Sequence, residues 1–137
     1  MDSPRFHAVY NISPILPGHS LIVPKRHVAS VLELAEDETA EFLQLARSAT
    51  RLLLAVFEAT GFNWTIQESE PAGQTVEHLH LHIIPRKAGD LPQPGDWYPK
   101  LLERQAIDSA QRPRLSEDEL RAIVERLRHA ADKAISG

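Results

Sequence analysis

Apolar and polar positions along the 137-residue chain repeat with two different periods. Between Glu36 and Thr60 the period is helical. Phe42, Leu45, Ala46, Ala49, Leu52, Leu53 and Val56 recur at i, i+3, i+4 and i+7, the spacing of one helical face. Leu43, Leu54 and Phe57 fall off that stripe, so the apolar arc is wide. Such a helix is either buried on two sides by its own domain or meets a second chain. Gly61 is its expected stop. A narrower stripe of Leu120, Ile123, Val124, Leu127 and Ala131 predicts a last helix over about 117–134, opened by a Ser116/Glu119 capping box and solvated on its charged side. Elsewhere the period is two. Residues 6–11 and 19–24 read as strands of an antiparallel hairpin around a turn holding Pro14, Pro17 and Gly18. Residues 63–67 read as a third strand. Residues 91–99, with three prolines, read as a loop that carries Trp97 and Tyr98. Together these predict a single α+β domain over 1–137: an antiparallel sheet of about four to five strands, one long helix and a C-terminal helix.

The strongest alternation is Glu77-His78-Leu79-His80-Leu81-His82-Ile83-Ile84-Pro85-Arg86. On a strand, successive side chains face opposite ways. His78, His80 and His82 then line one face, and Leu79, Leu81 and Ile83 anchor the other in a core. Three imidazoles in a row fit two chemistries. They can hold a metal, since neutral imidazole is a common zinc ligand and catalytic zinc takes three protein ligands. Or one can act as a nucleophile that the others orient. The preceding turn, Ala72-Gly73-Gln74-Thr75-Val76, favours the second. Glycine admits close backbone approach, and successive N–H groups there can receive an anion. A glycine-containing cradle beside imidazoles points to phosphate chemistry.

Composition changes this picture little. The net charge of −4 and the lack of a basic arm or stripe give no reason to expect nucleic acid as a partner, but a local cradle can still bind an anion. The absence of cysteine removes disulfides and thiolate metal sites. No apolar run spans a membrane and no signal-peptide pattern opens the chain, so a cytoplasmic location is the expectation. No carboxylate cluster suggests a protein-held Mg²⁺ site.

The run from Pro71 to Asp90 resembles the histidine triad (HIT) superfamily, whose pattern is His-φ-His-φ-His-φ-φ. Its Pro85-Arg86-Lys87-Ala88-Gly89-Asp90 continuation is similar to the Fhit branch, the dinucleoside polyphosphate hydrolases. The Hint branch of adenosine phosphoramidases continues Gly-Gly-Arg instead. The resemblance implies a HIT-like fold, a homodimer that joins sheets and packs the long helix, and a small-molecule nucleotide substrate. It implies cleavage of a compound like diadenosine triphosphate at the α-phosphate, giving AMP and a nucleoside diphosphate. It makes His80 the nucleophile. His82 contacts the attacked phosphate or assists the leaving group, and His78, beside His19, holds the row in place. It makes Asn11 a ribose ligand and Gln67 a donor to the bridging oxygen, with the Gly73, Gln74, Thr75 and Val76 amides around the phosphate. No cofactor is bound permanently; Mg²⁺ or Mn²⁺ arrives with the substrate. His7 and His27 are left as surface or packing residues.

Two departures stand beside this match. The Fhit branch continues Gln-Asp-Gly where this chain has Gln67-Glu68-Ser69. Fhit-type chains also carry a strand pair ahead of the position of Phe6 that walls the adenine pocket, which leaves the base contacts open. The alternatives are a Hint-like phosphoramidase or another HIT nucleotidyl hydrolase or transferase. Outside enzymes they are a nucleotide-binding sensor or a His-rich metal-binding module using His78, His80 and His82.

Overall fold

The computed structural model describes residues 1–107 and 110–136, with no side-chain account of 135 and 136. Four antiparallel strands form one sheet in the order β1-β2-β4-β3: β1 Phe6–Tyr10, β2 Ser20–Pro24, β3 Gly61–Thr65 and β4 Leu81–Arg86. β1 and β2 make the predicted hairpin, with Phe6 opposite Pro24 and Tyr10 opposite Ser20. Among the described residues three α-helices accompany the sheet: α1 Glu36–Val56, α2 Trp97–Ala106 and α3 Glu117–Ser136. No helix among the described residues is long and apolar enough to cross a membrane.

The period-two and period-3.6 patterns meet in one core. Ile22 on β2 and Leu81 and Ile83 on β4 pack against Phe42, Leu45, Ala46, Ala49 and Leu53 of α1. Leu79, just ahead of β4, joins them. α3 lies against α1: Leu127 touches the core, and the Arg126 guanidinium donates to the Val56 carbonyl at 2.7 Å and sits over the Phe57 ring. The Ser116/Glu119 capping box forms as its spacing predicts, each backbone N–H donating to the other side chain.

Three boundaries differ from the pattern reading. α1 ends at Val56 rather than near Thr60, because Glu58 turns left-handed at φ 53°, and Gly61 opens β3 instead of stopping the helix. β3 ends at Thr65, two residues short of Gln67. The expected loop 91–99 stops at Asp96: Trp97, Tyr98 and Pro99 are the first turn of α2, where proline lacks nothing the helix needs.

α2 covers the sheet face opposite α1. Ile84, which alternates away from Ile83, packs with Ile15, Leu101, Leu16 and Trp97 in a second small cluster. The connection from β4 to α2 is clamped. Arg86 makes a two-pronged pair with Asp90 (2.8 and 2.9 Å) and also donates to Asn63 Oδ1 and the Pro94 carbonyl. Asp90 is held down to about 2, chiefly by the Arg86 hydrogen bonds. The Pro85–Asp90 run is therefore a structural fastening that aims the next helix.

Candidate active site

The histidine row is not a continuous strand. β4 starts at Leu81, so of the three histidines His82 alone lies on the ladder, opposite Leu21. His80 and His78 precede it in an extended and a bent stretch, where the Leu79 N–H donates to the Val28 carbonyl. Leu79, Leu81 and Ile83 still turn inward, and all three rings still line one cavity of about 270 Å³ with Asn11, Thr75 and Val76.

The strand register decides which histidines touch. Ser20 pairs with Ile83 and Leu21 with His82, so His19 falls diagonally beside His82 on the same face. His19 Nε2 lies 2.9 Å from His82 Nδ1. The expected His19–His78 neighbourhood is thus replaced by His19–His82. His78 instead meets His27, Nδ1 to Nδ1 at 3.4 Å, and its Nε2 lies 3.2 Å from the Pro24 carbonyl. His27, which the sequence left as a surface or packing residue, is exposed and buttresses the outer end of the row.

Hydrogen bonds with one possible direction fix the tautomers. The Ile15 N–H points at His19 Nδ1 (3.2 Å), so that nitrogen must carry the lone pair. His19 Nε2 then carries the proton and donates to His82 Nδ1. His82 Nε2 in turn carries a proton; it is buried, without a partner among the described residues, on a residue that lines the cavity. Both rings stay neutral. Burial pushes His19 down to about 3, helped by the nearby Arg104 charge. Burial, then His19 and His80, push His82 down to about 3 as well. His80 is fixed by a different bond. Its Nδ1 lies 2.7 Å from the His78 carbonyl, which can only accept, so in the neutral ring Nε2 is the nitrogen with the free lone pair. A bare ring nitrogen and an N–H donor therefore stand side by side, ring centroids 5.0 Å apart. Among the described residues no three His, Cys, Asp or Glu side chains are grouped to hold a metal.

Asn11 is oriented by the Ser13 N–H donating to its Oδ1 (2.9 Å); its amide nitrogen, which can only donate, lies 3.3 Å from His19 Nε2 and, with that nitrogen protonated, makes no hydrogen bond to it. The loop before the triad differs from a four-amide cradle. Gly73 N–H donates to Glu70 and Gln74 N–H to Ser69, and the Gln74 side chain accepts from the Ser69 N–H. These groups are spent shaping a 3₁₀ turn that ends in Gly73 at φ 93°, leaving Thr75 and Val76 as the two of the four that line the cavity. A Cβ on Gly73 would meet Leu102 of α2 at 3.4 Å, so the turn is packed against that helix. Gln67 is buried but does not line the cavity, and its amide donates to Thr65 Oγ1 at 2.9 Å. The early end of β3 is the cause: Gln67 lies in the irregular stretch that follows, not at a strand end.

Residues that pattern reading passed over close the cavity. Leu101, Arg104 and Gln105 of α2 line it, as does Arg112. Arg104 donates to Ser13 Oγ (2.9 Å) and the Pro14 carbonyl (3.3 Å), and Arg112 to the Gln105 and Ile107 carbonyls. The Ser13 hydroxyl donates to the Pro113 carbonyl and the Leu115 N–H to the Ile12 carbonyl, which straps this segment onto the hairpin turn beside Asn11.

A family model described as the HIT domain matches residues 1–89. A bis(5'-adenosyl)-triphosphatase of Dictyostelium discoideum is 35% identical over 118 residues, 86% of this chain and 79% of that protein. An asymmetrical bis(5'-nucleosyl)-tetraphosphatase of Schizosaccharomyces pombe is 41% identical over 86 residues, 63% of this chain and 47% of that one, so the chain spans about half its length. Among solved structures, a hypothetical histidine triad nucleotide-binding protein from Sulfolobus tokodaii superposes with a TM-score of 0.76 at 25% identity, covering 97% of this chain and 82% of that one.

Proposed function

This chain belongs to the HIT domain family, and from that premise we propose that it is a nucleotide hydrolase that cleaves dinucleoside polyphosphates at the α-phosphate. The observation that carries the reading is the pair of opposed nitrogens in one cavity: the bare Nε2 of His80 and the N–H of His82. Two relatives bear the names of a dinucleoside triphosphatase and a tetraphosphatase, which supports the same substrate class.

In this mechanism His80 Nε2 attacks the α-phosphorus, the bridging P–O bond breaks, and the nucleoside diphosphate departs as an anion that needs no proton at neutral pH. The ring gains positive charge as the N–P bond forms. Its Nδ1–H, already donating to the His78 carbonyl, gains strength in step. His82 Nε2–H donates to a phosphate oxygen where negative charge grows. Water then adds to phosphorus, the N–P bond breaks, AMP leaves, and a proton goes to solvent. In this reading Asn11 takes the ribose and the Thr75 and Val76 backbone takes the phosphate; all three line the cavity. Mg²⁺ or Mn²⁺ travels with the polyphosphate. Gln67 enters this chemistry only if its amide lets go of Thr65.

The test is product analysis with diadenosine triphosphate and Mg²⁺, and separately with adenosine 5'-phosphoramidate. AMP plus ADP from the first, faster than cleavage of the second, is the expected result. The reverse order of rates moves the protein to the phosphoramidase side. Substituting His80→Ala removes the nucleophile and lowers turnover by about 10⁴-fold. Near-normal hydrolysis by that variant would refute the assignment.

The same reading includes a homodimer in the cytoplasm. β3 is an edge strand, Phe62 on it is 46% exposed, and Leu43 on α1 is 48% exposed, so joined sheets would cover both. A monomeric mass by light scattering at micromolar concentration would exclude the dimer, and cell fractionation tests the location.

A further inference from the structure

Among the described residues, four buried side-chain polar atoms lack a protein partner: Gln67 Oε1, His82 Nε2, Gln105 Oε1 and Arg112 Nε. Buried groups left this way cost about 1–3 kcal/mol each and call for an explanation. Three of the four belong to residues that line the triad cavity. His82 is accounted for by the attacked phosphate. Gln105 and Arg112 are not, and neither is Arg104 beside them. All three lie beyond residue 89, outside the HIT domain match.

The way these residues are held points to their use. Trp97, Leu101 and Arg104 follow at i, i+4 and i+7, one helical stripe. Trp97 and the buried Leu101 pin that stripe to Ile84, and the next turn delivers Arg104 into the cavity. The Arg104 and Arg112 guanidiniums are steadied by neutral acceptors: a hydroxyl and carbonyls. No carboxylate among the described residues lies within ion-pair distance of either. Neutral tethers fix a guanidinium in place without cancelling its charge, and its remaining donors suit phosphate oxygens. In a chain of net charge −4, two such cations in one small cavity mark it as a local anion site.

We propose that Arg104 and Arg112 form an anion subsite that holds the phosphates of the leaving nucleoside diphosphate or triphosphate, and so select polyphosphates over substrates whose leaving group is uncharged. Gln105 adds a polar contact between them. This assignment rests on the hydrolase reading above and deepens it by naming the residues that read the leaving group.

The experiment compares kcat/KM for diadenosine triphosphate with Mg²⁺ against adenosine 5'-phosphoramidate, whose leaving group carries no phosphate. It uses the wild type, Arg112→Gln, Arg104→Gln and Arg112→Lys, each checked for folding by thermal melt. The ratio of the two kcat/KM values is expected to fall about 10- to 100-fold in each Gln variant, as for one lost charge-assisted contact, and less in Arg112→Lys. A ratio that stays at the wild-type value, whether both activities drop together or neither drops, overturns the subsite. Arg104 also tethers Ser13, so if Arg104→Gln does not fold, Arg112→Gln decides. If the wild type cleaves neither compound, the hydrolase reading itself has failed. Calorimetry with ADP and with AMP then judges the subsite. Tighter binding of ADP that Arg112→Gln abolishes sustains it, and equal binding removes it.

Discussion

Acid should unfold this protein through two particular rings. His19 and His82 are buried, bonded to each other, and pushed down to about 3 by burial. In the unfolded chain both titrate near the ordinary histidine value of about 6.5. Between those limits the unfolded state binds more protons than the folded one, so stability is fully present above about pH 6.5 and is lost as pH falls. Each ring contributes a slope of about 1.4 kcal/mol per pH unit in that window. At pH 4 this amounts to on the order of 3 kcal/mol for each ring. Against a total stability of about 5–15 kcal/mol, the pair alone removes much of what holds the fold. The carboxylates with lowered values, such as Asp90 at about 2, lose their contribution only at lower pH. The assay is urea unfolding followed by circular dichroism at half-unit steps from pH 8 to pH 4. The wild type should take up close to two protons on unfolding near pH 5 from this pair, and His19→Gln should take up one fewer. A stability that stays flat from pH 7 to pH 5, or a His19→Gln slope equal to the wild type, would refute the buried neutral pair and the tautomer chain built on it.

Three further outcomes follow from contacts described above. Replacing His82→Leu removes the N–H donor and should lower kcat by about 10²–10³-fold, while His82→Gln, which keeps an amide N–H, should recover part of it in the same steady-state assay. Gly18 sits at φ 92°, and a Cβ there would lie 2.7 Å from Pro85 Cγ. Gly18→Ala should therefore destabilise by about 2–5 kcal/mol and lower Tm by roughly 10 °C in a thermal melt. Asp90→Asn breaks the two-pronged Arg86 pair and should lower stability by about 1–3 kcal/mol, read by urea unfolding at pH 7. If the clamp aims α2, the same variant should raise KM for diadenosine triphosphate more than it changes kcat.

Local signals carried far into this structure. The α1 stripe from Phe42 to Leu53 is the buried face, and Leu79, Leu81 and Ile83 alternate into the core as their spacing predicts. Both follow from the arithmetic of one element against one apolar surface. The partner of His19 did not emerge that way. His78 and His82 are equivalent to an alternation rule, and the β2–β4 register that separates them is a long-range property of the sheet. The Gly73 and Gln74 amides look free in a sequence and are consumed by a turn whose closing bonds no residue pattern announces. α2 was hidden for another reason. Its apolar stripe is two residues, Trp97 and Leu101, and its first turn contains Pro99, so prolines that read as a loop are compatible with a helix start. Arg104 and Arg112 went unnoticed with it, since a lone arginine near a proline-rich stretch reads as surface.

The strap that ties Pro113 and Leu115 to the Ser13 turn has a bearing on how the protein comes into being. A chain leaves the ribosome from its N-terminus, and every strand of the sheet is complete by Arg86. His80, its carbonyl acceptor and the His19–His82 pair can thus assemble while the wall of the pocket is still unsynthesised. Only when another 30 or so residues have emerged do Pro113 and Leu115 reach the hairpin turn. On the proposed subsite, the histidines and the arginines that read the leaving group lie in consecutive lengths of chain. Exchange of the stretch between Asp90 and Ser116 should then redirect such a catalyst without touching a single histidine.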